Sequence, residues 1–217
     1  MYRYQMSNGH YVVEIDGLHF LLDTGAPVSF WLKRPKGSIK IDGKEFVLND
    51  GREKTLVAKT EKLVGVPLDG FLGLDILKKT SFTLYKNGAI SFASDEVDGT
   101  VIPFEDIPGY PYIKVGVNGR PYTYLLDTGA MVAYGPSSLF DGQKPFGQVL
   151  DYNPMVGNLA GQGYHLDVVV GGKNKRLDVV DNETVRFLLR GEMIGNVTSF
   201  FEEACVFDFK NRRLILK

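Results

Sequence analysis

The hexapeptide Leu-Leu-Asp-Thr-Gly-Ala occurs twice in this chain, at Leu21–Ala26 and at Leu125–Ala130. Two unrelated positions agree about 6% of the time at average residue usage, so six identities in a row are roughly a one-in-a-thousand coincidence at this length. Each copy ends an apolar, strand-like run with a carboxylate, a hydroxyl and a glycine. One copy puts a single acid on a turn. Two copies related by duplication place two acids opposite each other.

The surroundings of the repeat also match. Tyr11–Ile15 meets Asp16-Gly17 and then Leu18–Leu22, which leads into Asp23; Tyr112–Val117 meets Asn118-Gly119 and then Arg120–Leu126, which leads into Asp127. Asp-Gly and Asn-Gly are the preferred type I′ hairpin turns, because both central residues need positive φ. Period-2 alternation and β-branched and aromatic residues dominate elsewhere, which predicts strands throughout. Later landmarks pair as well. Phe71-Leu72-Gly73 answers Met193-Ile194-Gly195, and Tyr85-Lys86-Asn87 answers Phe209-Lys210-Asn211. Short helices are expected only at Leu74–Lys79 and Thr198–Glu203. The polar stretch Ser94–Gly99 joins the halves, which predicts an N-terminal lobe over 1–96 and a C-terminal lobe over 97–217.

The halves differ in length. Gly73 lies 50 positions after Asp23, whereas Gly195 lies 68 after Asp127. Matching the turn at Asn49-Asp50-Gly51 to Gly171-Gly172 puts the 18 extra residues before Gly172, at about 148–165. That segment is glycine-rich with apolar flanks, which suits a mobile hairpin or lid.

Composition narrows the function classes. Of 217 residues, 44% are hydrophobic and 24% charged, ordinary values for a globular chain. A net charge of −1 gives no electrostatic case for nucleic acid or an anionic membrane. No apolar run approaches the ~20 residues of a transmembrane helix. The N-terminus lacks the layout of a signal peptide, so the expected location is cytoplasmic. The single cysteine, Cys205, excludes an internal disulfide and argues against a cysteine-based metal cluster.

The paired Asp-Thr-Gly-Ala turns, each followed by apolar-apolar-glycine, resemble aspartic peptidases of the retropepsin and pepsin clan. The alanine after each glycine resembles the retropepsin branch, and the covalent duplication resembles pepsin. The likeness runs through nearly the whole chain, as if a retropepsin dimer were fused head to tail. It implies an all-β fold of two pseudo-twofold-related, retropepsin-like β-barrel lobes with the active-site cleft between them and few short helices. It implies an aspartic endopeptidase, active as a monomer on a peptide or protein substrate, with no cofactor and no metal. Asp23 and Asp127 would form the catalytic dyad. Two carboxylates about 3 Å apart share one proton, because both cannot ionise cheaply. Thr24 and Thr128 would bond across to the opposite loop, and Gly25, Ala26, Gly129 and Ala130 would shape the turns. The extra segment would be a single flap in the C-terminal lobe, with Met155, Val156, Gly157 and Gly161 near its tip and Tyr152 or Tyr164 as its hydrogen-bonding aromatic. Lys44–Ala58 is the rival cover.

Two other readings stand beside this one. A catalytically silent peptide-binding or scaffolding module would keep the fold and bind without turnover. A glycosidase also uses two acids, but has no need of each in a duplicated turn. Elsewhere the bland reading prevails. His10, His19 and His165 are too scattered for a metal site and read as surface or satisfied histidines. Cys205 reads as buried and inert, Trp31 as lobe core, and Lys33–Lys36 and Lys173–Arg176 as solvated turns. Asn196 lies in a glycosylation sequon, but directly after the glycine motif, where a glycan conflicts with the fold.

Overall fold

The computed structural model describes residues 1–35, 37–51, 54–105, 107–153, 157–181 and 192–217. The first half begins with β1 (Tyr2–Ser7), β2 (His10–Ile15) and β3 (Leu18–Leu22), followed by β4 (Phe30–Trp31), β5 (Gly37–Ile41) and β6 (Lys44–Asp50). Helix α1 (Lys54–Val64), β7 (Gly70–Leu72), α2 (Leu74–Thr80), β8 (Phe82–Tyr85) and β9 (Ala89–Ser91) complete it. The second half holds β10 (Thr100–Pro103), β11 (Tyr112–Val117), β12 (Arg120–Leu126), β13 (Ala133–Gly135), β14 (Gly147–Asn153), β15 (Gly157–Val170), β16 (Lys173–Asp181), β17 (Met193–Gly195), β18 (Ala204–Asp208) and β19 (Arg213–Leu216). The fold is all-β, with two short helices among the described residues. None of the described helices is long and apolar enough to cross a membrane.

The turn chemistry acts as the sequence dictates. Asp16-Gly17 and Asn118-Gly119 both take positive φ, at 52° and 75° and at 50° and 75°, and each closes the hairpin that delivers an aspartate. In both halves the aspartate-bearing strand then pairs in parallel with a strand from much later in the chain, β3 with β7 and β12 with β17. Alternation sorts the side chains. Phe20 and Leu22, with Tyr124 and Leu126, enter the main core, while Leu21 and Leu125 share a face with Asp23 and Asp127.

The halves share a sheet. The order β10-β19-β18-β8-β9-β1-β2-β3-β7-β4-β6-β5 runs from the second half into the first, and β11-β12-β17-β13-β16-β15-β14 forms the other sheet. β18 pairs with β8 across this seam, where the Phe82 and Phe207 rings stack at 4.4 Å between centroids. Both rings are fully buried. Phe207→Ala is therefore expected to cost about 3–5 kcal/mol in unfolding free energy, read by urea denaturation.

Three local expectations change. Thr198–Glu203 is a turn rather than a helix; α2 forms where Leu74–Lys79 was expected. The Asn49-Asp50-Gly51 turn does not exist: Asn49 and Asp50 lie in β6, paired in parallel with Phe30 and Trp31. The true counterpart of Gly171-Gly172 is Asp42-Gly43, and all four residues have positive φ. Counted to that turn, the second half is 25 residues longer (Asp127 to Gly171 against Asp23 to Asp42). The apparent excess of 18 is the net of this insertion and of seven more residues in the first half between the turn and the glycine (Asp42 to Gly73 against Gly171 to Gly195), the stretch that holds α1.

The glycine alignment also shifts. Leu22 pairs with Leu72, but Leu126 pairs with Gly195, so Asn196 rather than Gly195 takes the position of Gly73. The reason is a substituted donor. In the first half the Leu74 N–H donates to the Ala26 carbonyl at 2.9 Å; in the second, the Asn196 side-chain amide donates to the Ala130 carbonyl at 2.9 Å. That engagement also leaves the Asn196 amide unsuited to carry a glycan.

Candidate active site

The two Asp-Thr-Gly-Ala turns meet at the seam, each at the end of its strand. The Asp23 N–H donates to the Leu72 carbonyl at 3.0 Å, and the Asp127 N–H to the Gly195 carbonyl at 2.8 Å. Below the acids, Thr24 and Thr128 interlock reciprocally. The Thr24 N–H donates to Thr128 Oγ1 at 3.0 Å, and the Thr128 N–H to Thr24 Oγ1 at 2.9 Å. Each hydroxyl then donates across the seam, Thr24 to the Leu126 carbonyl at 2.6 Å and Thr128 to the Leu22 carbonyl at 2.7 Å. Both threonines are wholly buried, so every polar group here is matched inside the protein.

Glycine is required beside the acids by close approach. A Cβ on Gly25 would lie 2.5 Å from Asp127 Oδ2, and one on Gly129 would lie 2.5 Å from the Asp23 carboxyl carbon. Each turn thus presses its backbone onto the other half's carboxylate, which sets the two acids face to face.

The pair is not symmetric. Asp23 Oδ1 accepts the N–H groups of Gly25 and Ala26, both at 2.9 Å, whereas Asp127 Oδ1 accepts that of Gly129 at 2.9 Å. Burial raises both acids above the ordinary carboxylate range. Asp127 goes well above it, because the Asp23 charge adds to burial and Asp151 pushes the same way. Asp23 is restrained by its two N–H donors and by the hydrogen bond from Asp127. The two backbone donors to Asp23 and the single donor to Asp127 favour the charged form on Asp23 and the neutral form on Asp127.

Two apolar walls flank the dyad on its own face of the sheets. On the first-half side, Val12, Leu21 and Phe71 pack with Val64 from α1 and Leu68. On the second-half side, Tyr112, Leu125, Tyr134 and Ile194 pack with Leu159 from β15. The walls are equivalent in register but differently covered, one by a helix and the other by the β14–β15 hairpin.

That hairpin pairs Gly147 with Gly163 through to Asn153 with Gly157. Met155 and Val156, expected at its tip, lie outside the described residues, as does the Tyr152 side chain. Gly157 opens β15 opposite Asn153, and Gly161 abuts Val180 and Asp181 of β16. Tyr164 stacks on Phe140 at 4.3 Å and packs against the main core, away from the dyad. Tyr134 and Asp151 instead link the hairpin to the wall, since the Tyr134 hydroxyl donates to Asp151 Oδ2. The signal for Tyr134 was its offset: it stands seven residues after Asp127, as Phe30 stands seven after Asp23.

The remaining candidates fall elsewhere. Lys44–Ala58 divides between β6 and α1. Among the described residues no group of histidine, cysteine and carboxylate side chains is arranged to hold a metal ion. Trp31 lies in the core, and the buried Cys205 thiol is pushed up by its surroundings. His165 pairs with Asp178 at 2.7 Å on the surface. His10, however, is only 1% exposed, and its Nδ1 has no hydrogen-bond partner among the described residues.

No known family's profile matches the chain, and no curated protein does. Among solved structures, 110 chains match. The simian foamy virus (mac) protease, determined in solution, is 16% identical with a TM-score of 0.32, over 41% of this chain and 89% of that one. The foamy viral protease–reverse transcriptase bound to an RNA/DNA hybrid is 16% identical with a TM-score of 0.36, over 44% of this chain and 12% of that one.

Proposed function

We propose that the chain is a monomeric aspartic endopeptidase built from two retropepsin-like halves, with Asp23 and Asp127 as its catalytic dyad. The observation that carries this reading is the asymmetric, face-to-face carboxyl pair locked by the crossed threonines. Asp23, ionised, takes a proton from a water held between the acids. That water attacks the peptide carbonyl while the Asp127 proton is donated to the carbonyl oxygen, giving a tetrahedral gem-diol. The C–N bond then breaks as the proton gained by Asp23 passes to the leaving amine and Asp127 takes one back from a gem-diol hydroxyl, leaving a carboxylic acid and restoring the pair. Both acids serve as general acid and base, and no bond forms between enzyme and substrate.

The β14–β15 hairpin would act as the flap that excludes water. A single chain supplies both acids, so specific activity is expected to stay constant on dilution; a steep loss would show that two chains are needed. Cleavage of a proteome-derived peptide library, wild type against Asp127→Asn, tests the reading as a whole. Cleavage by the wild type alone supports it. Peptide binding without turnover by either protein identifies the silent binding module instead.

A further inference from the structure

The duplication supplies its own control at one position. Tyr134 and Phe30 each stand seven residues after their aspartates, and they pair antiparallel with Ile194 and Phe71 of the glycine-motif strands. The two side chains differ by a hydroxyl. It occurs in the half whose wall the β14–β15 hairpin covers, whereas the Phe30 wall is covered by α1. Tyr134 is 3% exposed and held on both sides, because its backbone also pairs with Val180 of β16. A buried phenol needs a partner, and this one donates to Asp151 Oδ2 of β14. Burial first, and then the Asp151 charge, push the Tyr134 hydroxyl up, so it remains a donor.

The hairpin lies with one face down. Val149 packs on the second-half wall, and Leu159, opposite Asp151 in register, is buried in it. Leu150, between Val149 and Asp151, is 68% exposed on the other face. β14 also touches α1, so the hairpin reaches from one half to the other. The Asp151 charge is felt in both. It adds to burial and Asp23 in raising Asp127, and on β2 it opposes the lowering of His10 that burial causes.

We propose that Tyr134 is a positioning residue, whose hydroxyl clasps Asp151, holds the β14–β15 hairpin down on its wall and fixes a carboxylate charge beside the dyad. The proposal rests on the reading of that hairpin as the flap of a peptidase. A negative charge beside Asp127 disfavours loss of the proton from that acid. When the hairpin is down the charge is in place, and when it lifts the charge leaves with it. One hydrogen bond thus sets both the cover and the protonation of the acid beneath. The groups that bear on Asp127 are Asp23 from the opposite turn, Asp151 from β14, and the neutral hydroxyls of Tyr124 and Tyr134. Around Asp151, the facing stretch of β15 (157–163) carries no charge. On α1, Glu61 is paired with Lys33 at 2.6 Å, and Lys59 and Lys62 are exposed.

Two conservative variants separate the clasp from the charge. Tyr134→Phe removes the donor and keeps the ring, whereas Asp151→Asn keeps an acceptor for the hydroxyl and removes the charge. Amide hydrogen exchange of β14 and β15, measured without substrate, reads the hairpin. It should run about tenfold faster in Tyr134→Phe, the scale of one hydrogen bond to a charged group, and change far less in Asp151→Asn. Carbon-13 NMR of the Asp127 carboxyl reads the charge. Asp127 should titrate lower by about half a pH unit in Asp151→Asn, and by less in Tyr134→Phe, where the charge is loosened but not removed. The upper limb of the kcat pH profile should move down with it. Unchanged exchange in Tyr134→Phe overturns the proposal, and so does an unmoved Asp127 titration in Asp151→Asn. A merely structural role predicts a loss of Tm with that titration unmoved. Neither measurement needs cleavage, so the two readings fail separately. Both shifts in a protein that cleaves no peptide keep the clasp and reject the peptidase; cleavage with neither shift does the reverse.

Discussion

Asp127→Asn is expected to lower kcat/KM for peptide cleavage by about 10⁴-fold or more, a loss typical of removing one member of a catalytic unit. The asparagine amide keeps the hydrogen bond to Asp23 but has no proton to pass on. Asp23→Asn should fail as completely, because the residual acid then lacks the charged partner that activates water. The stability effect has the opposite sign. The folded-state pKa of Asp127 is raised, chiefly by burial and then by Asp23, so the folded protein binds this proton more tightly than the unfolded chain. The stability it contributes is full below the ordinary carboxylate pKa of about 3.9 and is lost as pH rises through the raised value. Asparagine does not titrate. Thermal melts should therefore show Asp127→Asn gaining on the wild type as pH rises from acid to neutral. Activity of the wild type should fall over the same upper limb, as the shared proton leaves the pair. A variant that keeps near-full activity contradicts the assignment.

Thr24→Val is expected to cost about 2–4 kcal/mol, because it strands two buried groups at once. The Leu126 carbonyl loses its donor and the Thr128 N–H loses its acceptor. In a chain of this size that corresponds to a fall in Tm of roughly 5–15 °C. Thr24→Ser, which keeps the hydroxyl, should lose far less. The threonine lock also fixes the separation of the acids, so kcat of Thr24→Val should drop by about 10²-fold from misplacement alone. A melt unchanged from wild type would show that the crossed hydrogen bonds add little to cohesion.

Local chemistry made much of this readable from sequence. Asp16-Gly17 and Asn118-Gly119 can hardly do anything but turn, and the strands entering Asp23 and Asp127 follow from them. Features that depend on distant partners were hidden. The one-residue shift at Gly195 exists because the Asn196 amide finds the Ala130 carbonyl, 66 positions away in the chain. α1 escaped because Lys44–Ala58 was expected as one covering segment, whereas it divides between a strand and the start of a helix. His10 looked like any scattered histidine, since nothing local distinguishes a satisfied ring from a buried orphan. Tyr134 was within reach, because the offset that pairs it with Phe30 is visible in the aligned halves.

The shared sheet changes what the covalent link is for. The join at residues 94–99 is polar and partly exposed, while β18 remains paired with β8 and the threonines remain crossed whatever happens to it. A cut in that join would leave a two-piece molecule that stays together. Continuity of the chain thus serves stoichiometry more than cohesion. It gives every half with a helix over its wall one partner with a long hairpin, and it rules out the like-with-like pairs that separate chains would form.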